Sequence, residues 1–140
     1  MVVDAGPGAI AFLLARVLFG GLLAFQGLNH FANADAMTGY TEAKGAPAPR
    51  LSVLASGGVL VVGGLGIALG AFPAIAAGLL AAFFLVVTPV MHDFWAVPED
   101  QQQSEMTDFI KNVELFAGAL VFLVLALGVE SWAYALNLGL

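Results

Sequence analysis

Apolar residues run through this chain in stretches of about twenty, broken by short polar intervals. The first covers Gly8 to His30, the second Leu51 to Leu69, the third Pro73 to Met91 and the fourth Phe109 to Val129. Each is close to the roughly 20 residues that a helix needs to cross a hydrocarbon core of about 30 Å. The second and third show no period-2 alternation, which argues against barrel strands. Their alanines, leucines, valines and glycines suit buried or lipid-facing helices. The pattern predicts an all-α membrane protein, a single domain over residues 1–140 built as a four-transmembrane-helix bundle.

The breaks agree with that layout. Pro7 stands where a first-turn proline loses no hydrogen bond. Gly70 and Pro73 bracket a connection so short that the second and third helices must be antiparallel neighbours. Pro47 and Pro49 end any helix continuing through the first long connection, Phe31 to Arg50. A short amphipathic run at Met37 to Ala43 lies within it, so an interfacial helix or re-entrant segment is expected between the first and second spans. His92 to Asp108 reads as an acidic, glutamine-bearing loop, with Thr107 or Asp108 capping the fourth span. Trp132 and Tyr134 follow that span and are expected at headgroup level. Met1 to Gly8 carries Asp4 and no basic residue, unlike a secretory leader, so the first span is expected to remain in place.

Composition narrows the solvent. Hydrophobic residues make up 61% and charged residues 10%, with a mean hydropathy of +0.96. A soluble domain carries about 25% charge, so a multi-pass position in the cell membrane is expected, with the bilayer as the first partner. The absence of cysteine removes disulfides, thiol redox and thiolate metal sites from this chain. No metal site and no basic nucleic-acid footprint are expected. A net charge of −6 and a pI of 4.4 fit a salt-adapted, halophilic source. Lys44, Arg50 and Lys111 fall on the long-loop side, which the positive-inside rule assigns to the cytoplasm.

A few polar residues lie where lipid would not favour them. Arg16 is about 13 Å into the first span at 1.5 Å per residue, and a charge at such depth usually faces the bundle interior. At 100° per residue, Arg16, Gly20, Leu23, Gly27 and His30 share one face, with Gln26 on its flank. Arg16 has two open readings, a tie between helices or a binder of an anion or carbonyl oxygen. His30 and His92 sit at helix ends on one membrane side. They read as interfacial histidines, as proton or quinone-oxygen partners, or as bis-histidine haem ligands, the last disfavoured by their place at the rim. Lys111 and Glu114 are three apart and can pair, and Asp108 can also pair with Lys111. Gln26, His30, His92, Lys111 and Glu114 are expected to form one polar layer near the long loops. Ser52, Ser56, Gly63, Gly66 and Gly70 form a small-residue stripe for close helix packing, within the bundle or between subunits.

The run LARVLFGGLLAFQGLNHF resembles the first span of DoxX-type membrane proteins, and MTGYTEAKGAPAP resembles their first loop. VVGGLGIALG is similar to their second-span glycine stretch and FIKNVELFAGAL to their fourth-span opening. The resemblance covers nearly the whole chain. It implies a four-helix bundle and a redox link, since one branch of the family contributes a membrane subunit to a thiosulfate–quinone oxidoreductase. Many members carry Glu in the second span where this chain has Leu60, which would leave Glu114 as the deeply placed acid. The expectation that follows is a membrane subunit binding a quinone or similar lipophilic ligand and supporting redox chemistry with a partner protein. Candidate ligand-binding residues are Arg16, Gln26, His30, His92, Lys111 and Glu114. Two alternatives stand beside it: a non-enzymatic assembly or scaffold protein, acting as a homo-oligomer or with another membrane subunit, and a small-solute transporter module.

Overall fold

The computed structural model describes residues 6–129 and 131–139; Asp4 and the rest of the leading segment before Gly6 lie outside them. Five helices follow one another: α1 (Gly6–Ala32), α2 (Ala34–Ala43), α3 (Pro49–Leu69), α4 (Pro73–Met91) and α5 (Glu99–Gly128). All but α2 are long and apolar enough to span a bilayer. The short α2 is the interfacial helix expected between the first two spans. A single residue, Asn33, separates it from α1.

α1 and α3 pack through their glycines. A Cβ on Gly20 would lie 2.7 Å from the Ala68 nitrogen, and one on Gly27 would lie 2.7 Å from the Gly57 oxygen. The two backbones therefore approach as closely as small residues allow, the packing mode open to membrane helices in the absence of a hydrophobic driving force between them. The α3 side of this seam is Gly57, Gly64 and Ala68, none of them in the expected stripe. Gly63, whose Cβ would meet the Leu80 side chain, and Gly66, whose Cβ would meet Ala76, admit α4 on the other side.

The α3–α4 hairpin turns at Gly70 (φ 65°), where the amide of Ala71 reaches back to the Gly66 carbonyl. Pro73 opens α4 at its first turn. α4 packs on α5, and Phe122 of α5 meets Phe19 and Phe12 of α1 at ring separations of 5.0 and 6.0 Å, closing the bundle. Outward-facing Leu18, Phe25, Val62, Leu85, Val124 and Leu127 form the lipid-facing surface.

Two expectations are corrected. α5 starts at Glu99, ten residues before Phe109, so most of the expected acidic loop is helix and the start is marked by Pro98 rather than by Thr107 or Asp108. Its first turns are polar and form an extension of the membrane span. Trp132 is 3% exposed rather than out among headgroups. Its ring stands edge-on to Phe12 at 4.9 Å, and Asn137 holds its backbone through both N–H and C=O. Residues 131–139 fold back as a strap across the α3–α4 hairpin: the Leu136 amide donates to the Leu69 carbonyl and the Phe72 amide to that of Leu138.

Candidate functional site

Arg16 is fully buried, on the interior face that the 100° count assigned to it. Its Nη1 donates to the Ala68 carbonyl at 3.1 Å, and its Nη2 donates to the carbonyls of Ala133, at 3.0 Å, and Tyr134. Ala68 lies in the last turn of α3, where carbonyls have no partner within their own helix. Arg16 therefore completes the end of α3 and pins the strap to it. Among the described residues no carboxylate pairs with it, and its Nε has no hydrogen-bond partner. Of its two open readings, the geometry displays the tie between segments.

The expected polar layer does not assemble as a unit. His30 turns its Nδ1 to the Val53 carbonyl at 3.2 Å, a contact within the α1–α3 seam. Gln26 and Glu114 lie on exposed faces of α1 and α5. Lys111 is 3.6 Å from Asp108, so the pair with Glu114 is not formed. Arg16 stands about 20 Å along α1 from His30 at 1.5 Å per residue. His92, by contrast, enters a cluster of groups that adjacency in sequence did not connect.

That cluster joins α2, the α4–α5 connection and the polar start of α5. Glu105 is its centre. Its Oε2 is 3.0 Å from His92 Nδ1, and its Oε1 accepts from the Tyr40 hydroxyl at 3.0 Å and from Lys44 Nζ at 2.9 Å. Lys44 Nζ also lies 2.7 Å from Asp93, and the Tyr40 hydroxyl is 3.3 Å from the Met91 carbonyl. Tyr40 lies on α2 and Lys44 caps its C-terminus four residues on, so both side chains reach the same side of that helix end. One carboxylate thus gathers three side chains from two separate elements.

Electrostatics follow from this packing. Burial pulls Lys44 down, but the hydrogen bonds to Asp93 and Glu105 outweigh it and hold the ammonium above its ordinary value. The Lys44 contact holds the Asp93 carboxyl below its ordinary value. Burial and the adjacent Glu105 carboxylate push the Tyr40 phenol up. The hydrogen bond to the Glu105 carboxylate assigns a proton to His92 Nδ1. His92 Nε2 is the ring nitrogen left outside that bond.

Beside the cluster, α4 and α5 part to form a crevice of about 200 Å³, lined by Phe84, Thr88 and Pro89 of α4 and by Phe109, Val113 and Phe116 of α5. Thr88 lies four residues before His92, which caps the end of α4, and Phe109 lies one turn after Glu105 on α5, so the apolar crevice adjoins the polar cluster. Leu85 and Val113, both exposed, flank its opening toward lipid. Phe94, Trp95 and Phe109 stack edge-on to one another at 5.2 to 5.9 Å near its polar end.

Tyr40, Lys44, Asp93 and Glu105 were not among the residues expected from sequence. Glu105 was hidden because its segment reads as loop. The available signal was Pro98 followed by Glu99 and Asp100, a proline and acidic first turn that mark a helix start. The DoxX family model matches residues 11–93, a range that runs from within α1 through α4 and includes Tyr40, Lys44, His92 and Asp93. No curated protein and no solved structure matches the chain.

Proposed function

Given that the chain belongs to the DoxX family of small membrane proteins, we propose that it is a multi-pass subunit that binds a quinone or similar lipophilic ligand in the α4–α5 crevice and supports redox chemistry carried out with a partner protein. The observation that carries this reading is the juxtaposition of an aromatic, lipid-open crevice with a cluster of hydrogen-bonding groups at one end. A quinone has the matching parts, an apolar ring and tail with polar oxygens on the ring. Such sites are mostly apolar with a few placed polar groups. A bound quinone would supply two-electron redox chemistry accompanied by proton transfer.

The chain's own residues divide that work. Phe84, Phe109 and Phe116 would hold the ring among aromatic edges. His92 Nε2 is the acceptor for a ligand O–H, with Glu105 stabilising the imidazolium that results through the 3.0 Å bond to Nδ1. Tyr40 and Lys44 hold Glu105 in place from α2. Arg16 and His30, both engaged with backbone carbonyls, support the bundle.

Titration of short-tailed quinone and quinol analogues into purified protein in micelles tests this. Saturable binding is expected, weakened about tenfold in His92→Ala and in Phe109→Ala, the loss of roughly one good contact each. Binding absent from the wild type, or unchanged in both variants, would end the reading.

A scaffold role has one observation in its favour: Arg16 and the Gly20, Gly27 and Gly57 contacts are all used in holding helices together. It predicts a stable protein partner and no saturable ligand. The transporter alternative gains no support from the packing, since Leu23, Leu60, Ile67, Leu80 and Phe84 fill the core between Arg16 and the Glu105 cluster.

A further inference from the structure

A second recess lies on the long-loop end, away from the crevice. α1 stops at Asn33 (φ −118°, ψ 31°), and its side chain bonds back to Asn29. The chain then sets off again as α2, which places Asp35 in the first turn of that helix. α3 begins at Pro49 and carries Arg50 in its own first turn. Between these three helix ends is an open groove of about 380 Å³, lined by Phe31, Asn33, Asp35 and Arg50. Arg50 Nη1 is 2.7 Å from Asp35 Oδ1, and both side chains are largely exposed, 62% and 92%. Exposed Phe31 gives the groove an apolar wall, and exposed Leu51 follows Arg50 on α3.

We propose that this groove is a headgroup site for a zwitterionic phospholipid bearing a primary amine, with Arg50 taking the phosphate and Asp35 the ammonium. The groove lies where α1 and α3 reach the long-loop end of the bundle, the level at which headgroups pack. Arg binds phosphate through its planar fork of donors. An exposed ion pair is worth little to the fold, about 0–1 kcal/mol, so opening it loses little. A phosphoethanolamine group replaces it with two charge-matched contacts and leaves no charge unpaired. A purely anionic headgroup would satisfy Arg50 but set its charge against Asp35. A choline headgroup has no N–H to donate to that carboxylate. Phe31 in the groove wall offers apolar surface to the upper acyl chain, which makes a membrane lipid rather than a soluble phosphoester the occupant.

Intact-complex mass spectrometry of the purified protein, after equal exposure to short-chain phosphatidylethanolamine, phosphatidylcholine and phosphatidylglycerol, tests the site. The ethanolamine lipid is expected to be retained about tenfold better than the other two, the size of one charge-assisted hydrogen bond. Arg50→Ala should lower retention of all three. Asp35→Asn should abolish the preference for ethanolamine over choline while keeping binding through the phosphate. Glycerophosphoethanolamine, the soluble headgroup without chains, should not displace the lipid at equal concentration. Both side chains are exposed, so the variants should fold, which circular dichroism checks. Equal retention of the three lipids by the wild type, an unchanged pattern in both variants, or full displacement by the soluble headgroup would each overturn the proposal.

Discussion

Arg16 donates to three carbonyls from two segments far apart in sequence, one at the end of α3 and two in the strap. Arg16→Ala would leave those carbonyls without their side-chain donor, at a cost of about 1–3 kcal/mol for each acceptor left buried and unsatisfied. The expected outcome is a large fall in thermal stability together with chymotryptic cleavage at Tyr134, as the strap comes loose. Arg16→Lys should fall between, because one ammonium cannot span the same carbonyls. The depth and facing of Arg16 were legible from helical periodicity alone. Its partners were not, because backbone carbonyls carry no sequence signature and the strap reaches them from more than a hundred residues away. Glu105 presents the converse case. It is conspicuous as an acid, but its role depends on α2 docking against α5, which no local pattern encodes.

The α2 contact also has a pH dependence. Asp93 is held below its ordinary carboxylate value by Lys44, so its contribution to docking is complete above the unfolded value of about 3.9 and is lost as pH falls through the lower folded one. Lys44 is held above its ordinary value, so its contribution is complete below about 10.4 and disappears as pH rises through the folded value. The protection of the α2 amides, measured as the exchange rate relative to the intrinsic rate at the same pH, should therefore be high between these limits and fall at both extremes. In Lys44→Met, that protection should be low throughout.

At the scale of elements, the α1–α3 seam depends on glycine at specific crossings. Gly20→Ala would set a methyl 2.7 Å from the Ala68 nitrogen, and Gly27→Ala one at 2.7 Å from the Gly57 oxygen. Backbone cannot yield as a flexible side chain does, so each should lower stability by about 1–3 kcal/mol. Gly21→Ala meets nothing within 4 Å and should be neutral or slightly stabilising, since alanine favours helix. Thermal unfolding in micelles of the three variants separates crossing glycines from passive ones. The spans themselves were readable, because a run of about twenty apolar residues admits few structures in lipid. α5 starts ten residues ahead of the expected position because Glu99 to Asp108, as polar as a loop, carry the helix beyond the apolar span.

For the whole molecule, Lys44, Arg50 and Lys111 gather at the long-loop end of the bundle, and the positive-inside rule points that end to the cytoplasm. The chain has no cysteine, so single cysteines report cleanly. Gln102→Cys should react with an impermeant maleimide only after cells are permeabilised, and Ser131→Cys should react in intact cells. The reverse pattern would invert the orientation. The central claim, that the α4–α5 crevice beside Glu105 is where a lipophilic redox ligand binds, is tested most directly by photolabelling the purified protein with an azido-quinone and mapping the adducts by mass spectrometry. Labelling should concentrate on Phe84 to Pro89 and Phe109 to Phe116 and should be competed by unlabelled quinone. Adducts centred on the α1–α3 seam, or spread evenly over the lipid-facing surface without competition, would contradict it.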